Sequence, residues 1–312
     1  MANRSNEMIA DLSDGLSRAA ISYMVGSAVV LAAVGSFSTL RVAIGSVQDT
    51  AAVVAAAIGA SIAADVAPDD RVQTAIVALA LGSFLTAILF LFVGRARLGE
   101  IARSIPFTVI SGFMAGTGWL LLWGGISVMT GDPASIWDVG DLLSWEVSRL
   151  WLPGVVLAAV VLIAILKNGT SIVVGGAMLA TTLGVHLVGR VGWSLDALET
   201  NGWLLGPFPE AGGFTPIRPT DLAAADWGAI ASHALPLAGL AAVSLIGLLL
   251  NLTGIEVACE DDIDLNHELK TAGAANIVSA AAGGLIGYHI MSYTLLAERL
   301  RVRGRTVPLM TW

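Results

Sequence analysis

The sequence predicts an all-α polytopic membrane protein in which two half-helices meet at mid-membrane. Three observations carry that prediction. Hydrophobic residues make up 56% of the 312 and charged residues 13%, about half the charged share of a soluble domain, and mean hydropathy is +0.80. The apolar stretches are long and continuous, which favours helices over the alternating strands of a barrel. Two of them are too short to cross a bilayer.

Taken in order, residues 1–19 hold acids and no central apolar region, so they read as an N-terminal tail and not a signal peptide. Residues 20–312 read as a partial transmembrane domain. Full-length apolar runs lie at 20–40, 73–93, 105–129, 151–167, 171–189, 230–251 and 268–286. Seven such runs in one chain exclude a soluble protein with a few apolar core helices. The short runs are 50–64 and 292–302, the second reaching charge by Glu298. The first begins in GSVQDTAAVVAAAIGASIAA (45–64). Its apolar part spans roughly 21 Å as a helix, against a bilayer core about 30 Å thick.

The loops carry a sided charge pattern. Arg95, Arg97 and Arg103 lie between two runs, and Arg299, Arg301, Arg303 and Arg305 near the chain end. The positive-inside rule assigns both to the cytoplasm. Loops 130–150 and 190–229 hold Asp132, Asp138, Asp141, Asp196, Glu199 and Glu210 with few bases. They also hold Trp137, Trp145, Trp151, Trp193, Trp203 and Trp227, an aromatic belt expected at a membrane interface, and these loops read as external. Followed backwards, the alternation leaves the tail outside, as a missing first helix would explain.

In transporters, short or interrupted helices in matching positions of two repeats point to the binding site. The two short runs are separated by six full ones, so they take positions three and ten of a seven-plus-seven arrangement. A helix that starts inside the membrane aims its open N–H groups and positive dipole end at the protein interior, a ready anion site. No Lys or Arg interrupts an apolar run. Gln48, Thr50 and Ser46 offer neutral hydrogen bonds to an oxyanion. Asp49 is either an N-cap or a buried carboxylate that titrates or holds a cation. The capping role is favoured, because a carboxylate there competes with an anion. Ser292 and Thr294 stand near the start of the last run, and Ser244 lies in 230–251.

Other features carry less. Gly112, Gly116 and Gly118 have close-packing spacing, and Gly283, Gly284 and Gly287 permit unusual backbone angles. His289 is either a proton carrier or, more simply, a loop or interfacial histidine without a role. The stretch EVACEDDIDLNHELK lacks EF-hand spacing and reads as a cytoplasmic loop opening a helix, with Asp264 or Asn266 as cap. Asn168 and Asn251 match Asn-x-Ser/Thr on the inner side, where the motif means nothing. Cys259 is the only cysteine, so no internal disulfide forms. No catalytic constellation, Walker loop or zinc-ligand set is present; neither enzyme activity, a cofactor nor a nucleic-acid partner is expected.

Three stretches resemble one family. IPFTVISGFMAGTG resembles the fifth helix of SulP-type inorganic anion transporters (sulfate permeases), with its P-x-x-V-I-x-G-F-x-x-G pattern. SVQDTAAVV resembles the start of their third helix. DIDLNHELKTAGAANIVSAAAGGLIGY resembles the opening of their ninth, through Glu268, Leu269, Gly273, Asn276, Gly283 and Gly284. The resemblance implies part of a seven-plus-seven inverted-repeat transporter fold, split into core and gate. It implies secondary active transport of a small inorganic anion (sulfate, bicarbonate or chloride) bound between helices three and ten. Carried over by position, Gln48, Asp49 and Thr50 fall on the first half-helix and Ser292 and its neighbours on the second. Where proton-coupled members carry a glutamate in helix eight, this chain has Gly247. It stops at VPLMTW, before helices eleven to fourteen and a STAS domain, and so reads as truncated at both ends. The partners implied are the anion, the lipid bilayer and a homodimer or complementing chain, in a bacterial plasma membrane. A non-transporting remnant or partner subunit, and a nucleobase permease, are the alternatives.

Overall fold

The computed structural model describes residues 21, 23–40, 42–104, 106–130, 139–168, 172–191 and 216–299. The tail 1–19, most of the loops expected to be external, and the arginine-rich end from 300 onward lie outside the described residues. Among the described residues the chain is helical apart from a two-stranded ribbon. In order, the elements are α1 (Tyr23–Phe37), β1 (Gly45–Val47), α2 (Asp49–Asp65), α3 (Arg71–Arg95), α4 (Phe107–Thr130), α5 (Val139–Leu142), α6 (Trp145–Asn168) and α7 (Ile172–Val191). There follow α8 (Pro219–Ala224), α9 (Trp227–Ser232), α10 (Ala234–Cys259), α11 (Leu265–Ala281), β2 (Gly287–His289) and α12 (Met291–Arg299). The chain divides into two compact units, Met1–Met114 with Pro209–Trp312, and Ala115–Phe208.

The first unit is built around α3. Among the described residues three helices have the length and hydropathy to cross a membrane, Arg71–Arg95, Trp145–Ala164 and Ala234–Cys259. In α3 only the ends are charged, and a left-handed Arg97 (φ 56°) turns the chain out after it. Its main partner is α11, and Gly273 is what lets the two axes approach. A Cβ there would sit 2.8 Å from Leu91 Cγ and 3.0 Å from the Ala87 carbonyl. Lipid supplies little hydrophobic drive for such contacts, so close van der Waals packing and internal hydrogen bonds hold them. Phe90 on α3 meets Tyr288 on β2 edge to face, ring centroids 6.1 Å apart.

Helix ends depart from the apolar runs where a charge or a bonded polar group interrupts the count. The run 151–167 belongs to a helix starting at Trp145, because its first turns carry Glu146 and Arg149. The run 230–251 is split by His233 between α9 and α10, and α10 continues past Asn251 to Cys259. The run 268–286 is α11, begun three residues earlier by Asp264, whose carboxylate accepts from His267 N at 2.9 Å. It stops at Ala281, before Gly283 takes φ 81°.

In the second unit α6 packs on α7, and Trp151 Nε1 donates to the Leu142 carbonyl of α5 at 2.9 Å. A shallow cavity of about 360 Å³ between α6 and α7 is lined by Gly154, Ala158, Thr181 and Thr182 among others. The space facing Gly112, Gly116 and Gly118 is open, so the helix contact expected of them is not made among the described residues.

Candidate functional site

The two short helices open from one ribbon. β1 and β2 pair antiparallel, with Gly45 opposite His289, Ser46 opposite Tyr288 and Val47 opposite Gly287. The pairing runs one step further at both ends: Gln48 N donates to the Ile286 carbonyl (3.1 Å) and Ile290 N to the Ile44 carbonyl (2.9 Å). α2 begins immediately after Gln48 and α12 immediately after Ile290. The arrangement is two-fold in form. Each strand delivers a helix N-terminus, with its open N–H groups, to an opposite end of the same ribbon.

Side chains lock the ribbon from three sides. Asn276 of α11 accepts from Gly287 N (2.8 Å) and donates to the Gly287 carbonyl (2.6 Å), satisfying both polar groups of that residue. Asn251 of α10 donates to the His289 carbonyl at 2.9 Å and stands 3.4 Å from Gln48 Oε1. Ser27 of α1 accepts from Val47 N at 3.3 Å and bonds the Ser46 hydroxyl at 3.0 Å.

Gln48 is the N-cap of α2, and no side chain caps that helix. The expectation of Asp49 as the cap is therefore corrected: Asp49 is the first helical residue. The Gln48 amide is occupied elsewhere, donating to the Tyr288 carbonyl at 3.0 Å. Asp49 is exposed, Thr50 half-buried, and Ser292 exposed in the first turn of α12. With Gln48, these three stand at the two helix openings. Thr294 is buried and accepts from Ile44 N at 3.2 Å, tying α12 back to the chain before β1. Ser244 is buried on α10, its hydroxyl donating to the Leu240 carbonyl of its own helix at 2.7 Å. The structure does not bring Ser244 into the hydrogen-bonded cluster at the openings.

His289 is not an interfacial residue. It is fully buried, as is Glu268, and its Nε2 lies 2.8 Å from Glu268 Oε2. The two atoms are within hydrogen-bond distance, but the contact does not have the alignment of a hydrogen bond. The other carboxylate oxygen accepts from Thr39 N and from the Thr39 hydroxyl, both at 2.6 Å. Thr39, at the end of α1, also lines a cleft of about 830 Å³ with Arg95, Arg97, Asp264, Asn266 and Lys270.

Asn251 is the residue that sequence reasoning misses, because it reads as an idle glycosylation match. A signal was present: it is a lone amide in the apolar run SLIGLLLNLTG, and polar groups inside membrane helices nearly always bond within the protein. Glu268 and His289 were each noted, but nothing local in the sequence joins residues twenty-one positions apart in two different elements.

The Sulfate permease family profile matches residues 8–309. A probable sulfate transporter of Mycobacterium tuberculosis is 27% identical over 274 residues, 86% of this chain and 46% of that protein. The vacuolar basic amino acid transporter VSB1 of Saccharomyces cerevisiae is 24% identical over 242 residues, 74% of this chain and 23% of that protein. The chain thus spans less than half the length of these relatives. Among solved structures, the transmembrane domain of a cyanobacterium bicarbonate transporter, BicA, matches with a TM-score of 0.66 at 19% identity, covering 98% of this chain and 78% of that one. That likeness shows a helical membrane-transporter fold, part of a seven-plus-seven inverted repeat. With a ribbon that opens two short helices and a family match over nearly its whole length, the chain belongs to the sulfate permease family.

Proposed function

We propose that this chain forms the substrate-carrying part of a secondary active transporter for a small inorganic anion of the sulfate, bicarbonate or chloride class. The carrying observation is the ribbon: one pair of strands presents two helix N-termini, the positive ends of two dipoles, that of α2 without a side-chain cap, and no Lys or Arg is buried among the described residues. In this reading the anion lies between the first turns of α2 and α12. Gln48, Thr50 and Ser292 supply neutral polar contacts and Thr294 steadies α12. Asp49 holds anion affinity down and speeds release. The Mycobacterium sulfate transporter and the BicA fold support the anion class. A bacterial plasma membrane, and a homodimer or a complementing chain, belong to the same reading.

One observation favours a second substrate class. Asp49 is an exposed carboxylate at the mouth of α2, and a relative is named as a basic amino acid transporter. A cationic substrate would bond Asp49 directly. Uptake into proteoliposomes of labelled sulfate, bicarbonate, chloride, arginine and uracil separates the readings. Saturable sulfate or bicarbonate uptake, weakened by Thr50→Ala and Ser292→Ala, is expected. Saturable arginine uptake abolished by Asp49→Asn would replace the anion reading with the cationic one. Flat uptake of all five marks a non-transporting chain.

A further inference from the structure

We propose that Glu268 and His289 form a proton-binding site coupled to anion binding, reached through Thr39 from the cleft at the α3–α11 end. The inference rests on the transport reading above. A carboxylate and an imidazole, both fully buried, are expensive inside a membrane protein. Such pairs add little net stability and often mark function. Neither ring nitrogen of His289 makes a hydrogen bond among the described residues, and Nε2 only approaches Glu268 Oε2, so purely structural service would leave the ring unsatisfied. The cleft face of the pair is polar, since Thr39 bonds Glu268 Oε1 and lines the cleft itself.

The site face of the pair is one hydrogen bond from the helix openings. The His289 carbonyl takes Asn251 Nδ2, which also reaches Gln48, the N-cap of α2. Met291, where α12 opens, is two residues beyond His289. The groups acting on the Glu268 carboxylate are His289 and Thr39. Around them, Arg95 of α3, Lys270 of α11 and its cap Asp264 lie in the cleft, with Arg97, Glu100 and Asp262. Tyr288 is the neighbour on β2, within reach of the Asp49 charge. α10 presents neutral Asn251, and α12 presents neutral Thr294, beside a cavity holding Glu260, Asp261 and Glu298.

The proton balance is simple. Unloaded, the pair carries a net charge of −1. A hydronium in the cleft gives its proton to the Thr39 oxygen and is left as water, as the Thr39 hydroxyl proton passes to the Glu268–His289 pair through Oε1. Thr39 is unchanged, and the pair now holds one more proton at charge zero. The negative charge that repelled an anion at the openings is gone. By linkage, anion binding must then draw in a proton.

The test uses the purified full-length protein carrying this chain, with sulfate as probe, and reads proton uptake by an indicator dye in weakly buffered solution. The parent is expected to take up as much as one proton per sulfate bound. Its sulfate Kd should rise about tenfold per pH unit where the pair titrates. Glu268→Gln, fixed at the neutral charge, should bind sulfate with a pH-independent Kd and no proton uptake. His289→Gln should flatten the profile likewise. Unchanged uptake in both variants overturns the proposal. Should neither fold, Thr39→Val decides: sulfate-triggered proton uptake should slow at least tenfold in stopped flow, and Thr39→Ser should restore it. No slowing overturns the proposal. Should the parent bind no anion, the transport reading fails separately. The proton site is then read by infrared: a pH-dependent band of the Glu268–His289 pair that is lost in both Glu268→Gln and His289→Gln supports it, and its absence sinks it.

Discussion

The first unit's α3 and α10 and the second unit's α6 are all apolar enough to cross a bilayer, yet their surroundings differ sharply. Half of the spanning window is buried in α3 and in α10, and none of it in α6. Leu269 of α11 is fully buried, whereas Leu166 of α6 is 76% exposed. Hydropathy does not separate the two kinds of helix. What separates them is small and polar residues: Gly273 against α3, and Asn251, Asn276 and Glu268 bonded inside. The helices that frame the candidate site are held by packing and hydrogen bonds, whereas α6 and α7 offer their apolar faces outward.

The sharpest way to break this comparison is to remove a polar lock. Asn276→Leu leaves the Gly287 N–H and carbonyl buried without their partner and should cost about 3 kcal/mol or more. Ile163→Ala on exposed α6 should cost under about 0.5 kcal/mol. Equal losses on unfolding in detergent would erase the distinction between the units. Close packing comes next. A Cβ at Gly284 would collide with Ser279 Oγ and come within 2.9 Å of Gly26 Cα, so Gly284→Ala should cost about 1–3 kcal/mol. Gly176→Ala on α7 meets open space and should be neutral or stabilising by up to about 1 kcal/mol. A thermal scan of both proteins compares them directly.

Two smaller effects sharpen the site. A single charge at a solvent-exposed mouth is worth about 1 kcal/mol, so Asp49→Asn should lower the sulfate KM about fivefold in proteoliposomes; a raised KM for sulfate would contradict the proposed role of Asp49. The weakest expected effect is Asp226→Ala. It deletes the side chain that accepts from Gly228 N and Ala229 N at the head of α9 and should cost at most about 1 kcal/mol, with sulfate KM unmoved.

The helical membrane class and the family were legible in the sequence because they depend on composition and local motifs. The polar knot ahead of Ala51 announced a helix beginning where an apolar run should already be under way, and α2 does begin at Asp49. The ribbon was not legible. Three-residue strands carry no alternation to read, and the partners lie far apart in the chain. His289 illustrates the same limit: its burial depends on Glu268 arriving from another helix, so a histidine after Gly-Tyr looked like loop. The Asp49 cap failed for a subtler reason. Gln48 turned its amide to Tyr288, and the helix started one residue sooner than the best capping residue would suggest.

The ribbon also sets an order in time. Gln48 bonds a residue 240 positions later in the chain, and at roughly 5–20 residues per second a ribosome needs about 12–50 s to make that stretch. Until then α2 is a helix of 17 residues without the strand that finishes its first turn, in a membrane that tolerates no loose backbone. A strand synthesised later therefore completes a helix synthesised earlier. Nascent chains halted before Gly287 should hold α2 in a conformation that protease or cysteine-labelling reagents can still reach, and chains halted after Arg299 should not.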